Sequence, residues 1–194
     1  MDEPSDDRAI DDALMGRCAT GDAAAASALV ARHAPRVLAL ARRMLGDAAE
    51  AEDVAQEALL RLWRAAPDWR AGEAGVAAWL RRVASNLCLD RLRRRRERPA
   101  EAAPETPDDR PAVVETLTAA DRAAALRGAL AELPERQRLA IVLRHFEERS
   151  NPEIAAILGT SVEAVESLLA RGRRDLAARL IPRRAELELS DGTI

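Results

Sequence analysis

The stretch 151–170, NPEIAAILGTSVEAVESLLA, constrains the chain more than any other, because its punctuation dictates a short helix, a tight turn and a second helix. Ser150 or Asn151 is placed to cap the first helix, with Pro152 at its first position, where a missing N–H costs nothing. Ile154, Ile157 and Leu158 fall on one face at three-and-four spacing. Gly159 supplies the left-handed residue on which a helix ends. Thr160 or Ser161 restarts the chain, with Thr160 and Glu163 at capping-box spacing. Val162, Val165 and Leu169 rebuild an apolar stripe. A small residue, Ala155, lets two such helices cross closely, as a helix-turn-helix requires. Arg171, Arg173, Arg174 and Arg179 then extend the second helix as a basic tail suited to phosphates. The same charges also fit a solvated helix end, where cations oppose the helix dipole.

Alanine, leucine and arginine dominate the 194 residues, and the aromatic residues are three tryptophans and one phenylalanine. With little β-branched alternation anywhere, this composition predicts an all-α protein. Every basic residue is arginine, which reflects genome composition before it reflects function. The net charge of −3 hides an uneven distribution. Acids crowd the start (Asp2, Glu3, Asp6, Asp7, Asp11, Asp12), while arginines cluster at 91–98 and 171–184, and local fields steer a polyanion more than the total does. The acidic start lacks the features of a signal peptide and no apolar run approaches spanning length, so a cytoplasmic protein without membrane insertion is expected. Cys18, Cys88, His33 and His145 are isolated and expected to be structural. No nucleophile-base pair, metal cluster or glycine-rich phosphate loop is present, so neither an enzyme nor a cofactor is expected.

In chain order, residues 1–10 are expected to be disordered and a short helix to follow over 11–19. Leu29, Val30, Val37, Leu38, Leu40, Ala41 and Leu45 give the next helix its apolar pattern, with Pro35 expected to kink or break it and Gly46 to stop it. Asp47 caps a third helix, in which Val54, Ala58 and Leu62, with Ala55, Leu59 and Trp63, form a wide buried stripe. Asp53, Gln56, Glu57 and Leu60 face outward as a compact patch suited to a protein partner. An acidic first turn complementing the helix dipole explains the same residues equally well. After a loop holding Trp69, the fourth helix buries Val76, Leu80, Val83, Ala84 and Leu87. Trp79, Asn86, Asp90 and Arg93 project from its other faces. Arg91, Arg93, Arg94, Arg95, Arg96 and Arg98 are more like charges than a helix end needs. The amide of Asn86 suits a base edge, while Trp69 and Trp79 offer flat surfaces to a displaced base. Trp63 is assigned to the core.

Residues 98–121, acidic and proline-rich, form a linker between a domain at 11–97 and a second at 122–182, followed by a tail at 183–194. Fully extended, the linker reaches roughly 75 Å, about two turns of duplex. In the second domain Leu139, Val142, Leu143 and Phe146 are expected to pack against the helix-turn-helix.

AEDVAQEALLRLW, the tryptophan of AAWL, RRVASNLCLDRLRRRR and LPERQRLAIVLRHFEERSNPEIAAILGTSVEAVESLLARGRR occur in this order around the linker. Together they resemble the extracytoplasmic-function sigma factors of bacterial RNA polymerase, within the sigma-70 family. That resemblance implies a fold of two small helical domains on a flexible linker, the first like sigma region 2 and the second like region 4. It implies core polymerase as partner, held at its β′ clamp through Asp53, Gln56, Glu57 and Leu60 and also at its β flap. Promoter DNA would be melted and read at the minus-ten element by Trp69, Trp79, Asn86, Asp90, Arg93, Arg94, Arg95 and Arg96. The minus-thirty-five element would be read by Ser161, Glu163, Glu166, Ser167, Arg171 and Arg174. An anti-sigma factor would hold the chain in a one-to-one complex, the free chain being monomeric, and would control transcription initiation in a stress response.

Relatives often carry phenylalanine where Val76 stands, and lysine and arginine where Glu166 and Leu168 stand. Glutamate can accept a hydrogen bond from cytosine N4, so Glu163 and Glu166 either select bases or weaken DNA contact. Ser167, Arg171 and Arg174 are the expected phosphate anchors. Two other functions compete: a sigma mimic that titrates an anti-sigma factor, which would have little use for the arginine run, and an operator-binding repressor, which would need a dimer interface or ligand pocket.

Overall fold

A computed structural model describes residues 5–72, 75–97 and 119–181. Eight α-helices account for almost all of them: α1 (Ser5–Ala19), α2 (Ala23–Leu45), α3 (Ala48–Ala65), α4 (Val76–Glu97), α5 (Ala119–Ala131), α6 (Glu135–His145), α7 (Asn151–Leu158) and α8 (Val162–Leu180), with a 3-10 turn at Ala66–Asp68. No strand occurs among the described residues. Helices α1–α4 form one group and α5–α8 a second, on either side of residues 98–118. The expected linker and tail lie mostly outside the described residues.

Helix α1 starts at Ser5, earlier than the disordered segment expected over 1–10. The cause lies on the next helix. Arg32 of α2 holds Asp7 at 2.9 Å and Asp11 at 2.9 Å, and the buried His33 ring sits 2.7 Å from the other oxygen of Asp11. Acidic residues in the opening turns also suit the helix dipole. Helix α2 is capped by Asp22, whose carboxylate accepts from the N–H groups of Ala24 and Ala25, and it ends on left-handed Gly46 at φ 71°. It runs through Pro35 without a break. Proline removes one backbone bond there, and burial of Leu29, His33 and Val37 on the turns around it offsets that cost. Val30, expected in the apolar pattern, is exposed.

Asp47 caps α3 by accepting from Glu50 N–H, and the helix buries Ala51, Val54, Ala55, Ala58 and Leu62. Trp63 departs from the expected core position and is 58% exposed. It lies one residue past Leu62, and α3 is buried along the narrower 51/54/55/58/62 stripe, so the indole only covers the mouth of a crevice lined by Met15, Cys18, Leu29 and Leu59. On α4 the buried line is Val76, Leu80, Ala84, Cys88 and Leu92, one residue every four. Val83 and Leu87, expected on the core face, flank it and are partly buried. Burial raises the Cys88 thiol to about 12 and also raises Cys18, and both are free thiols.

The two groups meet where α2 ends. Its last carbonyls receive an arginine from each side: Arg138 of α6 donates to Met44 O, and Arg95 of α4 donates to Leu45 O at 3.3 Å. Arg138 is 5% exposed and also donates to the carbonyls of Ala131 and Leu133, closing the α5–α6 turn. Burial lowers its pKa, since a desolvated guanidinium loses hydration. Nearby, Glu147 lies 3.8 Å from both Arg43 and Arg81, and the Arg43 guanidinium sits 4.7 Å above the Phe146 ring. One hydrophobic cluster therefore runs through both groups.

Candidate functional site

Three outward surfaces carry the residues singled out from the sequence. On α3, Asp53, Gln56, Glu57 and Leu60 recur at i, i+3, i+4 and i+7, so they form one continuous stripe. Asp53 and Gln56 are exposed, Glu57 and Leu60 half-buried. Asp53 is 3.3 Å from Arg91 of α4, and Glu57 is 2.8 Å from Arg61 one turn on. The hydrogen bond from Arg61, ahead of charge attraction, holds the Glu57 carboxyl below its usual range. Exposed pairs of this kind are weak and exchange readily for a partner's cations. Trp63 and Arg64 continue the stripe one turn beyond Leu60. The spacing from Gln56 to Trp63, seven residues, is the signal that would have placed this tryptophan outside.

The second surface belongs to α4 and the loop before it. Trp79, Arg82, Asn86, Asp90 and Arg93 follow one another at intervals of three or four, and Arg82, Asn86 and Arg93 are exposed. Arg93 pairs with Asp90 at 2.9 Å, and Arg94 is exposed with no partner among the described residues. Arg95 and Arg96 turn elsewhere. Arg95 is engaged by Glu50 at 2.8 Å and by Leu45 O, and Arg96 faces Glu135 of α6 at 3.7 Å. At the other end, Trp69 and Trp79 are half-buried and meet edge to face, with ring centroids 6.3 Å apart and planes at 76°. The Trp69 indole N–H donates to Asp12 of α1 at 2.9 Å. Asp12 carried no expectation beyond its share of the acidic start.

The third surface is the helix-turn-helix. Ser150 caps α7 in a full capping box with Glu153, and Pro152 stands in the first turn. Gly159 is left-handed at φ 59°, and Thr160 N–H donates to Ala155 O at 3.0 Å. Ser161, not Thr160, caps α8: its hydroxyl accepts from Ala164 N–H at 3.2 Å, so the capping-box spacing from Thr160 to Glu163 goes unused. Ile154, Ala155, Leu158, Val165 and Leu169 bury the seam, and Leu139, Val142 and Leu143 of α6 close it, with Phe146 partly buried at the edge. A residue not singled out before, Gly172, lies against α6 so closely that a Cβ there would stand 2.9 Å from Ile141 Cγ1.

Ser161 at the cap of α8 and Glu163, Glu166, Ser167, Arg171 and Arg174 along it are all exposed. They differ in freedom. The Ser161 hydroxyl is committed to the cap. The Glu163 carboxyl is lowered first by its own backbone N–H and then by Ser161, as suits an acid in a first turn. Arg171 donates to Ser167 O at 3.2 Å. Glu166 and Arg174 have no partner among the described residues.

Glu153 provides a titration test of the motif. Burial would raise its carboxyl, but the Ser150 hydroxyl and N–H and the Arg149 guanidinium outweigh it and bring the pKa to about 2 from 4.5. The folded value lies below the unfolded one, so the stabilisation is complete above pH 4.5 and is lost as the pH falls towards 2. Its side chain is 37% exposed, so solvent screening cuts the full shift to about 1 kcal/mol, the usual worth of a cap. Glu153→Ala is expected to lower the melting temperature at neutral pH and to converge on the parent near pH 2. A gap independent of pH would contradict this.

Comparison with known proteins assigns both halves. Residues 29–98 match the model of sigma-70 region 2, and residues 123–176 match that of sigma-70 region 4. The ECF RNA polymerase sigma factor SigM of Mycobacterium tuberculosis is 36% identical over 168 residues, covering 86% of this chain and 83% of that protein. The chain belongs to the ECF sigma factors. SigE of Mycolicibacterium smegmatis is 40% identical over 165 residues, covering 81% of the chain; the chain spans 63% of that relative, less than two thirds of its length. Among solved structures, CnrH in complex with the cytosolic domain of CnrY superposes with a TM-score of 0.63 at 31% identity, covering 89% of this chain and 98% of CnrH. This ECF sigma factor thus has the two-part helical fold expected from its sequence. Among the described residues no helix is long and apolar enough to cross a membrane.

Proposed function

We propose that this ECF sigma factor is a non-enzymatic, dissociable specificity subunit that binds core RNA polymerase and directs initiation at its own set of promoters. The observation that carries this is the pairing, on one chain of two sigma modules, of an acidic and apolar stripe on α3 with an arginine-bordered face on α4. The stripe of Asp53, Gln56, Glu57 and Leu60 takes the β′ clamp. Asn86, Asp90, Arg93 and Arg94 face the minus-ten element, with Trp69 and Trp79 offered to an unstacked base, an exchange of base stacking for a protein pocket. Arg95 and Arg96 serve this face through its support and its field, given their contacts to Glu50 and Glu135.

At the minus-thirty-five element Arg171 and Arg174 anchor phosphates beside Ser167. Glu166 is free to accept from cytosine N4, whereas Glu163 mainly starts the helix. Control by an anti-sigma factor in the cytoplasm, in a one-to-one complex, is supported by the likeness to CnrH, which was solved with a bound partner domain. Reconstituted transcription tests the proposal: purified chain added to core polymerase with a promoter library must yield start sites that core alone does not.

A further inference from the structure

Asp12 has both carboxylate oxygens in use, and both of its donors lie about sixty residues further along the chain. One oxygen accepts from the Trp69 indole N–H at 2.9 Å and the other from the Gly72 backbone N–H at 3.3 Å. Gly72 is left-handed at φ 88°, a conformation that suits glycine, so the carboxylate ties the side chain at the start of a tight turn to the backbone at its end. Neither bond is needed to hold α1 in place. That helix is already docked on α2 by the buried Asp11–His33 contact and by the two bonds from Arg32. Asp12 is only half-buried, beside a turn whose neighbours Arg70, Ala71 and Gly72 are exposed.

The chemical consequence concerns Trp69. An indole has one hydrogen-bond donor and no acceptor, and here that donor is spent on Asp12. Trp69 therefore has only its ring surface to offer a ligand, and its orientation is fixed from two sides, by Asp12 and by the edge-to-face contact with Trp79. An aromatic surface held in one attitude suits stacking with any base and does not read sequence by itself. Holding it in advance removes an ordering cost at the moment a base leaves the duplex.

We infer that Asp12 is a positioning residue for promoter opening, a clamp on the 69–72 turn that presets the Trp69–Trp79 pair to receive an unstacked base. This rests on the proposed minus-ten role of that surface. Asp12→Ala removes both bonds. Asp12→Asn retains an oxygen for the indole but sets an amide N–H₂ against Gly72 N–H, so it is intermediate.

The test uses holoenzyme assembled from core polymerase and the full chain, on a promoter selected by the wild-type holoenzyme. Opening of the duplex is followed by 2-aminopurine fluorescence within the minus-ten element, and the rate of transcript formation is compared on the duplex and on a template already unpaired there. Asp12→Ala is expected to slow opening of the duplex about tenfold, the size of a lost base-stacking contact. Core affinity should be unchanged, and the defect should shrink to under about threefold on the unpaired template. In the free chain, with Trp63→Phe to simplify emission, acrylamide quenching should rise in the order wild type, Asp12→Asn, Asp12→Ala. Loss of the fold would instead lower core affinity and reduce output equally on both templates, and that result overturns the clamp. So does duplex opening within about twofold of wild type. If the wild-type holoenzyme selects no promoter, the function proposed for the whole surface fails and takes the clamp with it; an unaffected Asp12→Ala beside an active wild type sinks the clamp alone.

Discussion

Arg138→Met is expected to lower the midpoint of thermal unfolding by roughly 5–10 °C, the equivalent of about 2–3 kcal/mol in a chain of this size. Two effects oppose each other at this site. Burying a guanidinium with carbonyls alone for partners costs several kcal/mol of desolvation, and methionine of similar length avoids that cost. Against it stand three carbonyl groups, of Met44, Ala131 and Leu133, that receive the fork of donors. Methionine leaves them without that donor, in a place already walled off from water. Carbonyls at a helix end also carry the negative pole of the dipole, which a cation offsets and a thioether does not. The second effect wins because it counts three acceptors against one charge. Arg138→Lys, which keeps the charge but lacks the planar fork, is expected to fall between the two. Circular dichroism melts check the order. An Arg138→Met protein as stable as wild type would show that desolvation dominates.

The second large effect is functional and leaves stability alone. Reversing both Asp53 and Glu57 to lysine is expected to weaken binding to core polymerase by about 100-fold, since two attractive contacts become repulsive ones. The melting temperature should not fall by more than about 2 °C, because Asp53 is exposed, Glu57 is only half-buried, and their pairs with Arg91 and Arg61 are surface pairs. Fluorescence anisotropy of labelled chain titrated with core polymerase measures the first, and a thermal melt the second. Equal affinity for the parent and the doubly reversed chain would remove α3 from the interface.

Local chemistry made much of this architecture legible in the sequence. Ser150, one of two candidate caps for its helix, together with Gly159, Asp47 and Gly46 act within a few residues of themselves, and each is where its pattern placed it, whereas the Asp22 cap and the Ser150–Glu153 box carried no expectation. What stayed hidden depends on partners far along the chain. The start of α1 depends on Arg32, twenty-five residues beyond Asp7. The continuity of α2 through Pro35 depends on what that helix packs against. Periodicity gives the direction of a buried stripe but not its width, which is why Trp63, expected inside, lies outside. The arginine run of α4 is uniform in sequence, yet Arg95 is held by Glu50 and Leu45 O while its exposed neighbour Arg94 has no partner among the described residues. Arginine counts carry no information about which of them a neighbouring helix end will claim.

The proposed function needs one chain to carry both a polymerase-binding stripe and two promoter-reading faces. Transcription from a randomised promoter library with core polymerase alone, with core plus this protein, and with core plus the Asp53→Lys/Glu57→Lys variant measures it most directly. Start sites sharing two spaced sequence elements, present only with the unaltered protein, are the predicted result. Start sites that appear equally with the variant, or none with either protein, would contradict it.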